Sequence, residues 1–360
     1  MPAVSVDWSP LPAPRPGLRA VIVLPARNQA KVLVPALAAL AAQQIDPALR
    51  FEVLLLAHNC SDATADVARR FAADCKRCAI HVVEAQLSAS YASAGFVRKA
   101  LMDEACWRLT ASGSPDGVIL SSDADVRVDP LWLAATLRAV DAGADAVGGR
   151  ILTESVAALP RPFARVRRLD ALYRLRRTRL ESLIDPCAED PWPRHDQHFS
   201  ASLAVTAAAY RRVGGVPRVR FMEDEALVRT LRREDLRIRH APDVRVWTAA
   251  RLDSWADIGA TWQLREWADR IAAGEQPTVA HPHADVARWT RRRAARQMWS
   301  QRPGSVRGET FARFWERLEG RDAESAARWN EPLPLGEAVR VLRGLLRERQ
   351  GRPAQPRPGR

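Results

Sequence analysis

The chain has 360 residues, enough for one large α/β domain with an extension or for two domains, and long enough to bury a sizeable core. Hydrophobic residues at 47% and charged residues at 27% are ordinary for a globular protein, and no apolar run reaches the length that spans a bilayer. The formal charge of +13 raises the question of a nucleic-acid partner. Lysine occurs only at Lys31, Lys76 and Lys99, however, and the arginines are scattered with no recognised binding motif, which argues against that class.

Met1 to Pro16 is proline-rich and lacks the basic patch and apolar core of a secretory signal, and five cysteines suit a reducing compartment, so a cytoplasmic location is expected. Val21–Leu24 reads as a buried strand ended by Pro25-Ala-Arg-Asn28, and helical spacing follows from Gln29 to Gln43. Phe51–Leu56 is a second strand, followed by His58-Asn-Cys-Ser-Asp62 and a helix through Phe71 with Asp62 as its expected cap. Ile80–Val83 makes a third strand and Ser93–Ala111 a helix. Val118-Ile-Leu120 is a fourth strand that stops on Asp123 and Asp125, one residue apart, before a helix from Pro130 to Asp141. This alternation means a mainly parallel sheet, and open sheets of that kind bind ligands outside the carboxyl ends of their strands.

From Ile151 to Ser200 the pattern changes to an Arg-rich helix, about Pro162 to Ile184, and an irregular proline-containing segment. Phe199–Val205 alternates again, Ala207–Val213 is a helix stopped by Gly214-Gly215, and Glu223-Asp224-Glu225 opens another through Arg233. Ile238 and Val244–Trp247 suggest two late strands. Beyond Asp253 the chain reads as helical and basic to a Pro/Arg/Gly tail at Gly351 that is expected to be disordered. Residues 281–360 hold 18 arginines against nine acids, which makes contact with an anionic membrane surface a possible role for the C-terminal region.

No G-x-G-x-x-G follows the first strand and no G-x-x-x-x-G-K-[ST] occurs, so dinucleotide enzymes and P-loop nucleotidases drop out. A carboxylate pair at a strand end, Arg27 and Arg98, and a second acidic cluster suit a metal-bound diphosphate leaving group with a separate general base. Asp123 and Asp125 could instead cap the loop before Pro130, and the Glu223–Glu225 acids could simply favour a helix dipole. Cys75 and Cys78 lack the second pair a structural zinc needs, His195, His198 and His240 read as loop and strand-flanking residues, and Trp289, Trp299, Trp315 and Trp329 as packing anchors.

The ordered series Pro25-Ala-Arg-Asn28, Asn59-Cys-Ser-Asp62-Ala-Thr64, Ala94-Gly-Phe-Val-Arg98, Asp123-Ala-Asp125, Gly214-Gly215 and Glu223-Asp224 resembles the family 2 glycosyltransferases of the GT-A fold, over about Arg19 to Arg251. The resemblance implies a mainly parallel α/β fold of the nucleotide-diphospho-sugar transferase type with a helical C-terminal extension. It implies inverting, hexosyl-type transfer from a nucleotide-sugar donor to an acceptor hydroxyl, assisted by Mg²⁺ or Mn²⁺. Carried over by position, Pro25, Arg27 and Asn28 line the nucleotide pocket, Arg98 faces the nucleotide, Asp123 contacts the ribose side, Asp125 binds the metal and Asp224 is the base, while Arg251 closes over the donor phosphates. Family members commonly place an aspartate on the nucleobase near the end of the second strand. Ala57-His58-Asn59 stands there instead, so His58 or Asn59 would supply that contact and the base is left open. The expected division is a flexible 1–18, a GT-A domain over 19–252 in halves 19–149 and 150–252, a helical basic extension over 253–350 and a disordered 351–360. The rival reading with the same residues is a nucleotide-sugar-binding protein without turnover.

Overall fold

In the computed structural model the described residues are 6–154, 160–219, 221–248, 260–301, 309–321, 329 and 331–350. They fall into two compact units. One holds the described residues up to 154 and from 197 to 248, the other those from 160 to 196 and from 260 onward. This differs from the division expected from sequence: the Arg-rich helix and the proline-containing segment after it belong with the C-terminal helices, not with the second half of the sheet domain.

The first unit is built on eight strands: β1 (Leu18–Ala26), β2 (Arg50–His58), β3 (Ala79–Ala85), β4 (Val118–Ser121), β5 (Val126–Val128), β6 (Ala146–Thr153), β7 (Leu203–Thr206) and β8 (Ile238–Thr248). They lie in the order β3-β2-β1-β4-β7-β6-β8-β5. The run β3-β2-β1-β4 is parallel, β7 is antiparallel to both neighbours, β6 and β8 are parallel, and β5 caps the edge antiparallel to β8. The continuous apolar runs follow from the burial of both faces. Ile22, Leu24, Leu55 and Leu120 enter one core with Trp132, while Val21, Val23, Leu54 and Ile119 enter the opposite core, because successive side chains leave a strand on opposite sides.

Helices α1 (Leu33–Ala41), α2 (Thr64–Asp74), α3 (Ala94–Ala111), α4 (Trp132–Asp141), α6 (Ala207–Arg212) and α7 (Glu223–Arg233) belong to this unit. Ser93 caps α3 by accepting from the Phe96 N–H. Ala63, not Asp62, is the N-cap of α2, and Asp62 instead accepts from Thr64 N at 3.0 Å and from Ala30 N at 3.1 Å. The two late strands expected from sequence are the single β8, whose register jumps from Gly149↔Ala241 to Arg150↔Arg245. Pro242 and Asp243 fall in that bulge, where a residue without an N–H is tolerated. Residues 6–17, expected to be flexible, are packed in part: Val6 is buried and Pro12 accepts from Arg108 Nη1 at 3.0 Å.

The second unit packs α5 (Arg161–Ile184), α8 (Ala260–Ala272), α9 (Pro282–Ser300) and α11 (Leu335–Gln350) around Phe163, Leu180, Trp289 and Leu342, with α10 (Phe311–Arg321) against the end of α9. Much of its basic charge is internal. Arg177 forms two bonds to Asp285, at 2.6 and 2.7 Å, and Arg292 reaches Glu181 at 2.8 Å as well as Asp185. Arg340, Arg343 and Arg347 are exposed on α11, cations that the expected anionic contact would need. No helix among the described residues is long and apolar enough to cross a membrane.

Candidate active site

Register aligns the site across the sheet. Ser121 pairs with Leu203, Leu203 with Gly148, and Gly148 with His240, so the last residue of β4 lies level with the third residue of β8. Asp123 and Asp125 are in the turn between β4 and β5, closed by the Val126 N–H donating to the Asp123 carbonyl at 3.1 Å. They are therefore turn residues rather than alternating positions of one strand. Asp123 is 36% exposed and Asp125 is half-buried.

Loops from β1 and β2 form the neighbouring wall. Asn28 and Asn59 both have left-handed backbones, φ 54° and 47°, a region that Asn tolerates better than most residues. Asn28 Oδ1 accepts from Ser61 N at 2.8 Å and Ser61 Oγ at 3.3 Å, which stitches the two loops together. Asn59 Nδ2 donates to the Leu87 carbonyl at 2.7 Å and its Oδ1 accepts from Leu87 N at 3.1 Å. Its amide thus fixes the chain after β3, and the nucleobase contact expected of this side chain is not what these bonds describe. Pro25 and Arg27 are half-buried at the end of β1. His58 is buried at the end of β2, where burial first and the nearby Arg27 charge second lower its pKa to about 4.

A neutral buried histidine has a consequence for stability. Between about pH 4 and 6.5 the unfolded chain binds a proton that folded His58 refuses, so stability falls as pH drops through that window. Urea unfolding from pH 7 to 4 is expected to lose a share on the order of 2 kcal/mol that His58→Gln no longer shows. Identical pH slopes for the two proteins would overturn this assignment.

Arg98 is the centre of the site's electrostatics. It is buried near the start of α3, with Nη2 donating to Asp123 Oδ1 at 2.8 Å, Nε to Glu223 Oε1 at 3.2 Å and Nη1 to Ser121 Oγ. Burial is the largest influence and opposes its charge, but Asp123 and Glu223 outweigh it and raise its pKa. Arg98, expected to face the nucleotide, has each of its three nitrogens engaged by the protein, because a buried guanidinium requires carboxylate partners. Gly95 permits this closeness, since a Cβ there would stand 2.9 Å from the Val219 carbonyl and 3.2 Å from Glu223 Cβ.

The three acids that open α7 point to three different partners. Glu223 turns to Arg98. Asp224 Oδ2 accepts from Ser200 N at 3.0 Å and Ser200 Oγ at 3.2 Å, and Oδ1 accepts from Glu225 N at 2.8 Å. Glu225 Oε2 lies 2.6 Å from His198 Nε2, and His198 Nδ1 lies 3.3 Å from His240 Nε2. A carboxylate can only accept, so Nε2 of His198 carries the proton. The bond to His198, ahead of the opposing effect of burial, holds Glu225 below the usual carboxylate range.

The segment bearing His198 and Ser200 can cross β6 because Gly148 and Gly149 have no side chains. A Cβ on Gly148 would come within 2.4 Å of the Gln197 carbonyl, and one on Gly149 within 2.0 Å of Ser202 Oγ, which itself accepts from Trp132 Nε1 at 2.9 Å. Sequence reasoning set His198 and His240 aside. The Gly-Gly pair was the available signal, marking a close backbone approach without naming what approaches. Arg251 lies outside the described residues.

Among the described residues no group of three His, Cys, Asp or Glu side chains forms a cage for a metal ion. A small hard cation does not need one, since it is commonly held by one or two carboxylates together with substrate phosphates and water. Asp125 and Asp123, on one turn, are carboxylates that would fit such a donor set.

A carboxylate turn and an acidic helix start thus lie on one edge of a mostly parallel α/β sheet. Residues 21–189 match the family model described as glycosyl transferase family 2. The match takes in Pro25, Arg27, Asn28, His58, Asn59, Arg98, Asp123 and Asp125, and ends before Asp224. No curated protein matches the chain. Similar solved structures include S. aureus TarS in complex with UDP-GlcNAc, at 14% identity and TM-score 0.45 over 78% of this chain and 73% of that one. Another is the mannosyltransferase PcManGT of Pyrobaculum calidifontis in complex with GDP-Man and Mn²⁺, at 17% identity and TM-score 0.48 over 94% and 89%. M. tuberculosis glucosyl-3-phosphoglycerate synthase follows at 16% and 0.38, over 80% and 83%.

Proposed function

We propose that this protein is an inverting glycosyltransferase of the hexosyl type, which moves a sugar from a nucleotide-diphosphate donor to an acceptor hydroxyl with Asp224 as general base. The observation that carries the reading is the tie made by Arg98. One buried guanidinium joins Asp123, in the turn of the donor-side carboxylates, to Glu223, the residue before Asp224, at 2.8 and 3.2 Å. Donor-side and acceptor-side carboxylates are thereby held in one frame.

In the reaction the bond from the anomeric carbon to the diphosphate oxygen breaks and a bond to the acceptor oxygen forms. The acceptor proton goes to Asp224 and the nucleoside diphosphate leaves. Asp224 suits the task because Ser200 and the Glu225 N–H fix its orientation, while Glu223 is committed to Arg98 and Glu225 to His198. Pro25, Arg27, Asn28, His58 and Asp123 form the donor wall in this reading, with Asn59 and Arg98 supporting it from behind. Asp125, aided by Asp123, would hold Mg²⁺ or Mn²⁺, whose charge offsets that developing on the departing diphosphate.

Calorimetric titration of UDP- and GDP-sugars into the full chain is the test. Affinity is expected to need added Mn²⁺ or Mg²⁺, to be lost with a chelator, and to fall at least about tenfold in Asp125→Ala with its metal dependence gone. Affinity indifferent to both chelator and substitution would remove the metal from the proposal.

A further inference from the structure

We infer that the acceptor presents its reacting hydroxyl on an apolar body, an alkyl or aryl alcohol, rather than on a hydrophilic sugar. The inference rests on Asp224 as the base, because the surface beside the base is the one an acceptor must occupy.

Seven large hydrophobic side chains are exposed among the described residues of the sheet unit, and four of them flank Asp224: Phe199, Val219 and Phe221 at 37% exposure each and Met222 at 44%. The other three, Val34, Trp107 and Leu131, are scattered over α1, α3 and the entrance to α4. Phe199 precedes Ser200, whose N–H donates to Asp224, and Phe221 and Met222 stand three and two residues before Asp224. Single exposed apolar residues need no explanation, but two segments converging on one carboxylate with such residues mark a ligand surface.

Met222 adds a second observation. Its φ of 59° is left-handed, a conformation that strains a non-glycine residue, and its carbonyl accepts from Ala226 N at 2.9 Å to start α7. Glycine would make that turn without strain. A methionine there combines the strain with an exposed thioether, so the side chain itself is what the position supplies. Arg218 and Arg220 are the charged residues from 217 to 222, while the Phe, Val and Met side chains offer no hydrogen bonds for the hydroxyls of a sugar. Burial of one such side chain against an apolar ligand is worth about tenfold or more in affinity.

Saturation-transfer difference NMR on the full chain with Mn²⁺ and UDP or GDP separates the possibilities, using 1-octanol and 4-methylphenol against glycerol and methyl glucoside. The apolar alcohols are expected to bind at least about tenfold more tightly than the polar pair, and Phe199→Ser and Phe221→Ser each to weaken them about tenfold, with Trp107→Ser as the control that does not. Equal binding of the two classes, or variants no weaker than the control, would overturn the inference whatever the donor does. If apolar alcohols bind as expected but no UDP- or GDP-sugar yields a glycosylated product by mass spectrometry, the apolar site stands and the transfer reaction assigned to Asp224 fails.

Discussion

Asp224→Asn is expected to lower turnover by roughly 10²–10⁴-fold at saturating donor and acceptor while leaving donor affinity near that of the parent. A hydroxyl is a weak nucleophile until a positioned carboxylate accepts its proton, and an amide cannot do so. The substitution is not structurally silent. Asp224 accepts from Ser200 through one oxygen and from the Glu225 N–H through the other, and an Asn oxygen can serve only one side, for a cost of about 1–2 kcal/mol. Turnover should therefore be read with thermal unfolding and donor calorimetry alongside. Glu225→Gln is the comparison. A Gln oxygen can still accept from His198 Nε2, so a far smaller loss is expected. Near-parental turnover in Asp224→Asn would place the base elsewhere and return the acids of α7 to an ordinary helix-dipole role.

Arg98→Met should be the most destabilising single change in the site, by about 3–5 kcal/mol in urea unfolding. Removal of the guanidinium leaves Glu223, only 10% exposed, and Asp123 close together with their shared cation gone. Most of the loss is the penalty for an uncompensated buried charge rather than the worth of the pair itself. Adding Glu223→Gln to Arg98→Met should recover part of it, and a double-mutant cycle isolates that coupling. Arg98→Lys is expected to fall between, since one ammonium cannot span Ser121, Asp123 and Glu223 as a planar fork does. A cost below about 1 kcal/mol for Arg98→Met would mean that this tie does not hold the frame.

The amino-acid sequence was sufficient for the parts of this protein whose chemistry is local. Val21–Leu24, Phe51–Leu56 and Val118–Leu120 announce buried strands because a strand covered on both faces must be apolar at successive positions. Ser93 announces a helix start because its oxygen satisfies an otherwise unpaired N–H. Asp123 and Asp125 are legible as a carboxylate turn for the same kind of reason, an apolar run that ends abruptly in charge. β5 and β6 escaped notice: one is three residues long and the other carries Gly148-Gly149, which have no side chains to display a period. Pro242 concealed the continuity of β8, because a bulge that accommodates proline depends on the partner strand.

Tertiary structure alone decided which side chains meet. Arg98 reaches Glu223 across 125 positions and His198 reaches His240 across 42, and neither separation follows any local period. Periodicity records which face of an element is buried, whereas partners depend on strand order and register, here the alignment of Ser121, Leu203, Gly148 and His240. For that reason Arg98, expected at the nucleotide, turns to Asp123 and Glu223, and His198, expected to be a loop residue, orients Glu225.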